Sequence, residues 1–196
     1  MLFRSKKAFP DDDVIVVHDA HGGKPIKRWY KKWKLPQGAT NTPTDREQKN
    51  RDAEVGDLYD TMMAAVKKAL GDKRPVSVAF VWMQGESDAK YDWQSVYYEA
   101  LRGTVEQIRT DLKHQEIAVV IGRLSGKNNG EKGWDAIRAI QEKVATDESL
   151  GAWVDTDKIE RAGDNKKIHY SEKGYAELGK QFADKAIELI QKGKAK

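Results

Sequence analysis

The chain has 196 residues, 39% hydrophobic and 34% charged, with 35 basic against 31 acidic side chains and a net charge of +4. Such a balance describes a folded domain with a heavily solvated surface and length enough for a core. The absence of cysteine excludes disulfide and thiolate chemistry. No apolar stretch approaches the roughly 20 residues that span a bilayer, and so slight a positive charge does not imply nucleic acid.

The opening MLFRSKKAFPDDD shows no apolar core of a signal peptide, no helix-start signal and no clear strand. The run VIVV, 14–17, predicts a first strand that ends at His18-Asp19-Ala20-His21-Gly22-Gly23. A polar loop follows through Asn41-Thr42-Pro43-Thr44. The next segment predicts a helix over 57–70, closed by Gly71, with Leu58, Met62, Ala65, Val66 and Leu70 on one face.

After Pro75 the run 76–83 is apolar on both faces, as a strand covered on both sides requires. A helix is expected over about 93–113, with Val96, Ala100, Val105, Ile108 and Leu112 inward. A third strand follows at 117–124, a helix near 134–146, and a fourth strand in AWVDTD. The last helix, about 171–190, opens at SEKG and turns Tyr175, Leu178, Phe182, Ala186 and Leu189 inward, and the QKGKAK tail is expected to fray. Alternating strands and helices predict one three-layer α/β domain across 1–196.

In open α/β sheets ligands bind beyond the carboxyl ends of the strands. Here those tips read HDAHGG, QGESD, RLSGKNNG and DTD, with His169 just before the final helix. An imidazole at that edge suits a general base, and equally a surface histidine ahead of the N-cap Ser171. Glu86 and Asp88 form a carboxylate pair or cap the following helix. Gly22, Gly23 and Gly85 serve tight turns or bring backbone N–H groups close to a developing oxyanion.

KPIKRWYKKWK, 24–34, interleaves six basic residues with three aromatics. Alone this resembles a single-strand nucleic-acid surface. Without any nucleic-acid-binding motif it is better read as a solvated loop anchored by its aromatics. No metal-ligand spacing is present, so no metal is expected.

Several stretches together resemble the sialate O-acetylesterase-like domain of the SGNH hydrolase superfamily, related to acetylxylan esterases. They are GGKPIKRW (Gly22, Gly23, Ile26, Trp29), QGESD (Gln84 to Asp88), RAIQ (Arg138 to Gln141) and IHYSEKGYAELG, which aligns His169 with the family's catalytic histidine. The resemblance covers about residues 8–190. It implies a flavodoxin-like parallel sheet, hydrolysis of O-acetyl esters on sugars, and no cofactor. It implies His169 as base, oxyanion donors at Gly22, Gly23, Gln84 and Gly85, an acetylated carbohydrate as partner, and neither nucleic acid nor membrane. Relatives of this kind are often exported.

Two departures stand out. None of the seven serines, Ser5, Ser77, Ser87, Ser95, Ser125, Ser149 and Ser171, has the family's Gly-Gln-Ser-Asn context. The expectation is therefore a chain that starts after the family's first strand, with 14–17 as the second strand and a central position empty. The family's acid, three residues before the histidine, is replaced by Lys166, which leaves Asp164 or Glu86 to orient His169, with Glu86 preferred. The rival reading is a carbohydrate-binding remnant that has lost its nucleophile.

Overall fold

The computed structural model describes residues 1–37, 54–126, 131–162 and 168–195. In chain order the elements are α1 (Leu2–Ala8), a 3-10 turn (Ile26–Arg28), α2 (Asp57–Leu70), β1 (Val78–Trp82), α3 (Glu86–Lys90) and α4 (Gln94–Leu112). They continue with β2 (Ile117–Gly122), α5 (Lys132–Asp147), β3 (Gly151–Val154) and α6 (Glu172–Lys194).

The three strands form one parallel sheet in the order β1-β2-β3. Val78 pairs with Ile117 and Trp82 with Ile121, and Val119 pairs with Gly151 and Gly122 with Val154. β2 lies between two neighbours and under helices on both faces, so every residue of IAVVIG is buried. One face carries Phe80, Trp82, Val119 and Ile121 against α2, α4 and α5. The other carries Ala79, Val81, Ala118, Val120 and Val154 against Leu178, Phe182, Ala186 and Leu189 of α6. Each of the larger aliphatic side chains contributes roughly 1.5–3 kcal/mol by leaving water. Among the described residues the chain is thus a three-layer α/β fold of flavodoxin-like type with three parallel strands in its sheet.

Three expectations are corrected. Residues 14–17 form no strand, and Ile15 and Val16 are exposed. A β-run without a neighbouring ladder cannot satisfy its backbone in a sheet, and in the flavodoxin-like order this run and β1 are not adjacent. The N-terminus is helical over Leu2–Ala8, where an Arg4–Asp184 ion pair ties it to α6. Tyr175 is exposed, because it points from the first turn of α6 away from the sheet and stacks edge-on with Tyr170.

The tail is also more ordered than expected. α6 runs to Lys194, whose ammonium meets Asp12 at 3.1 Å and lies over the Phe9 ring. On α2 the buried face is Leu58, Tyr59 and Met63, with Met62 and Val66 partly buried beside it and Ala65 outside.

The aromatic loop does what an anchored loop should. Trp29 and Tyr30 are buried, and Trp29 stands edge-on to Trp82 at 5.3 Å. Trp33 packs on Trp93 at 4.8 Å. Gly103 on α4 makes room for this loop, since a Cβ there would lie 2.1 Å from Tyr30 Cε2. Arg28 and Lys31, on either side of Trp29 and Tyr30, pair with α2: Arg28 with Asp57, and Lys31 with Asp60 at 2.5 Å.

Candidate active site

β1 stops at Trp82 because the next residues turn their polar groups inward. Gly85 has φ 147°, a conformation that disfavours any side chain, and a Cβ there would lie 2.7 Å from Ile137 Cγ2. The turn is therefore restricted to glycine twice over, by backbone and by space.

Around this turn a buried polar network forms. Gln84 Nε2 donates to Lys24 O at 2.9 Å and to Asp88 Oδ2 at 2.5 Å. The backbone N–H of Ile26 donates to Asp88 Oδ2 at 3.0 Å. Tyr97 Oη donates to Gln84 O at 2.8 Å and lies 3.1 Å from Gln84 Oε1, and Trp82 Nε1 donates to Tyr97 Oη at 3.2 Å. From α5, Gln141 Nε2 donates to Gln84 O at 2.8 Å while its Oε1 accepts from Leu124 N at 2.8 Å. The strand tips of β1 and β2 and the Gly22–Ile26 loop are thus tied to one another through side-chain amides and one carboxylate.

Asp88 does not cap α3; no side-chain cap bond is made at that helix start. It is fully buried, and burial pushes its carboxyl from the ordinary 3.8 up to about 7, against hydrogen bonds from Gln84 and Ile26. Burial likewise raises Tyr97 well above a normal phenol.

Glu86 is the first residue of α3 and is partly exposed. Loss of hydration raises its pKa, while backbone N–H groups of Glu86 and Gly85 and the charge of His169 pull it back. His169 and Glu86 therefore share one local field. His169 is exposed, beside an isolated antiparallel bridge between Arg161 and Tyr170, and Ala162 N donates to His169 O at 3.1 Å. Arg161 lies over the Tyr170 ring at 4.0 Å. Directly after it, Ser171 caps α6: its Oγ accepts from Gly174 N at 3.0 Å and donates to Glu160 Oε1 at 2.5 Å.

The remaining site candidates fall as follows. Gly22 and Gly23 are exposed, Gly23 with φ 67°. Both N–H bonds of the Gln84 amide are engaged, with Lys24 and Asp88. Asp164 lies outside the described residues. Among the serines, Ser87 and Ser125 are buried and Ser171 serves as the helix cap. Among the described residues no group of three or more His, Asp or Glu is placed to hold a metal, and no helix is long and apolar enough to cross a membrane.

Sequence reasoning missed several participants. Tyr97 and Trp82 carry no local signal, because their bonds to the QGESD turn exist only after α4 packs on β1. Arg138 and Gln141 were visible as a motif without a role. One turn apart on α5, they serve the β2 tip together: Arg138 Nη1 donates to Leu124 O and to Asp157 Oδ1, the latter at 2.9 Å. Asp157 also accepts from Gly126 N at 2.6 Å, so it fixes the loop after β2.

A parallel sheet with the buried Asp88, the partly exposed Glu86 and the exposed His169 near the carboxyl end of β1 makes an α/β domain with a candidate site at that edge. Residues 2–188 match the family model described as carbohydrate esterase, sialic acid-specific acetylesterase, and the chain belongs to that family. No curated protein matches the chain.

Proposed function

We propose that the chain is built to hydrolyse O-acetyl esters on sugars by a serine-type mechanism, with His169 as general base and Glu86 as the acid that orients it. What supports this reading is the match of residues 2–188 to the carbohydrate esterase family, together with Glu86 at the turn that Gly85 alone permits and within electrostatic reach of His169. A carboxylate whose ionised form is favoured by an imidazolium also favours that imidazolium when it forms. In the reaction a serine Oγ, which sequence context identifies with none of the seven serines, attacks the acetyl carbonyl carbon and His169 takes the hydroxyl proton. His169 then returns it to the departing sugar oxygen, and water releases acetate from the acyl-enzyme. Backbone N–H groups at Gly22 and Gly23 serve as oxyanion donors, and Gln84, turned inward by Gly85, holds that loop against β1 through Lys24 O.

The test is hydrolysis of 4-nitrophenyl acetate and of an O-acetylated sialic acid by the chain, beside His169→Ala, Glu86→Gln and Asp164→Asn. His169→Ala should lower kcat/KM by about a thousandfold or more, and a fluorophosphonate probe should mark the attacking serine. Equal turnover by His169→Ala would sink the reading. Loss of activity in Asp164→Asn but not in Glu86→Gln would move the orienting role to Asp164.

A second reading, sugar binding without turnover, is favoured by the commitment of Ser171 to its cap and the burial of Ser87 and Ser125. It predicts a folded chain that binds sugar, is inert to the probe and releases no acetate.

A further inference from the structure

The segment before Gly22 holds a second imidazole that the esterase mechanism does not use. His21 Nε2 and Asp19 Oδ1 lie 2.7 Å apart, with side chains 34% and 15% exposed. A carboxylate only accepts hydrogen bonds, so the ring donates its Nε2–H to Asp19. The other carboxylate oxygen, Asp19 Oδ2, is buried and has no hydrogen-bond partner, which concentrates the carboxylate's bonding on the imidazole. With the proton held at Nε2, Nδ1 of the neutral ring carries a lone pair and accepts.

The position of the pair ties it to the site. The His21 ring lies 6.4 Å from that of Trp29, which packs edge-on against Trp82 at the end of β1. Three and five residues further along, Lys24 O and Ile26 N bond to Gln84 and Asp88. The loop that presents His21 is therefore fastened on both sides of the QGESD turn that carries Glu86.

We propose that His21 is a substrate-binding residue of this site, accepting a hydrogen bond from a sugar hydroxyl through Nδ1, with Asp19 as its positioning residue. The choice of a sugar as ligand rests on the carbohydrate reading given above. An unprotonated Nδ1 accepts a hydrogen bond that a hydroxyl can donate, and a part-exposed ring whose Nε2–H is held by Asp19, with its side chain 15% exposed, keeps that orientation without a long search of rotamers.

The experiment is NMR of the full chain with isotope-labelled histidine, titrated with N-acetylneuraminic acid. The nitrogen shifts of His21 should report an Nε2-protonated ring, and its Cε1–H signal should move saturably with the sugar. Asp19→Asn, which keeps the side-chain shape, should release the tautomer and weaken binding by about tenfold, and His21→Ala should weaken it by a similar factor. Saturable binding with the His21 signals unmoved, wild-type affinity in Asp19→Asn, or no saturable binding at all overturns the proposal. Ester turnover on the same samples separates it from the esterase reading. Turnover with His21 unmoved removes the proposal and keeps the esterase. Sugar bound through His21 without turnover supports the proposal and removes the esterase.

Discussion

Replacing Asp88 by Asn removes a titrating group from the core while keeping the shape of the side chain. In the folded protein burial pushes this carboxyl from 3.8 to about 7, although Gln84 Nε2 and Ile26 N donate to it. In the unfolded chain it titrates near its ordinary value. Between about pH 4 and pH 7 the folded state thus holds a proton that the unfolded state has released, and stability falls as pH rises. At about 1.4 kcal/mol per pH unit over some three pH units, the loss is about 4 kcal/mol, to order of magnitude. The carboxamide of Asp88→Asn cannot titrate, and the raised carboxyl of Glu86 is present in both proteins, so its slope cancels to first order. Urea unfolding at about pH 4.5, 6 and 7.5 measures the difference directly. Wild type should lose most of its advantage over Asp88→Asn across that range. Parallel curves, with a constant difference, would mean that Asp88 ionises like an exposed carboxylate and that the argument from burial is wrong.

Three other perturbations test the same network. Gly85→Ala should cost about 2–4 kcal/mol in urea unfolding, since φ 147° and a 2.7 Å approach to Ile137 act together; a variant as stable as wild type would refute this. Gln141→Ala strips the partner of Leu124 N–H and one of the two donors to Gln84 C=O at a fully buried position, and should cost about 3–5 kcal/mol. Arg138→Ala should weaken the protein at neutral pH and flatten its acid response. Arg138's hydrogen bond holds the Asp157 carboxyl below its ordinary value, so that contribution is present above about pH 4 and lost as pH falls through the lowered value. An unchanged acid profile in Arg138→Ala would show that Asp157 owes nothing to it.

Much of this architecture was legible in local patterns. Runs 76–83 and 117–124 are apolar on both faces, and strands buried under helices on both sides need that; both appear, as Val78–Trp82 and Ile117–Gly122. Gly71 closes α2 and Ser171 opens α6 where the cap chemistry requires them. VIVV was legible in the same way and misled, because strand propensity is realised only beside a partner. Tyr175 misled for a different reason: helical spacing places a residue on a stripe, but whether the first turn of α6 lies over the sheet depends on the docking of the whole helix.

The candidate site divides along the same line. Residue types and order marked Gln84 to Asp88 as groups beyond the end of β1, where a parallel sheet offers its ligand edge, and His169 by its place before the last helix, while Gly22 and Gly23 were marked as the tip of a run, 14–17, that forms no strand. Only the tertiary structure decided what each does there. It turned Asp88 from a helix cap into a buried acceptor for a loop 62 residues away, committed the Gln84 amide to Lys24 and Asp88, and put Glu86 in the field of His169. Those assignments depend on distances between segments far apart in the chain, and on the loss of water around them. Local propensity contains neither.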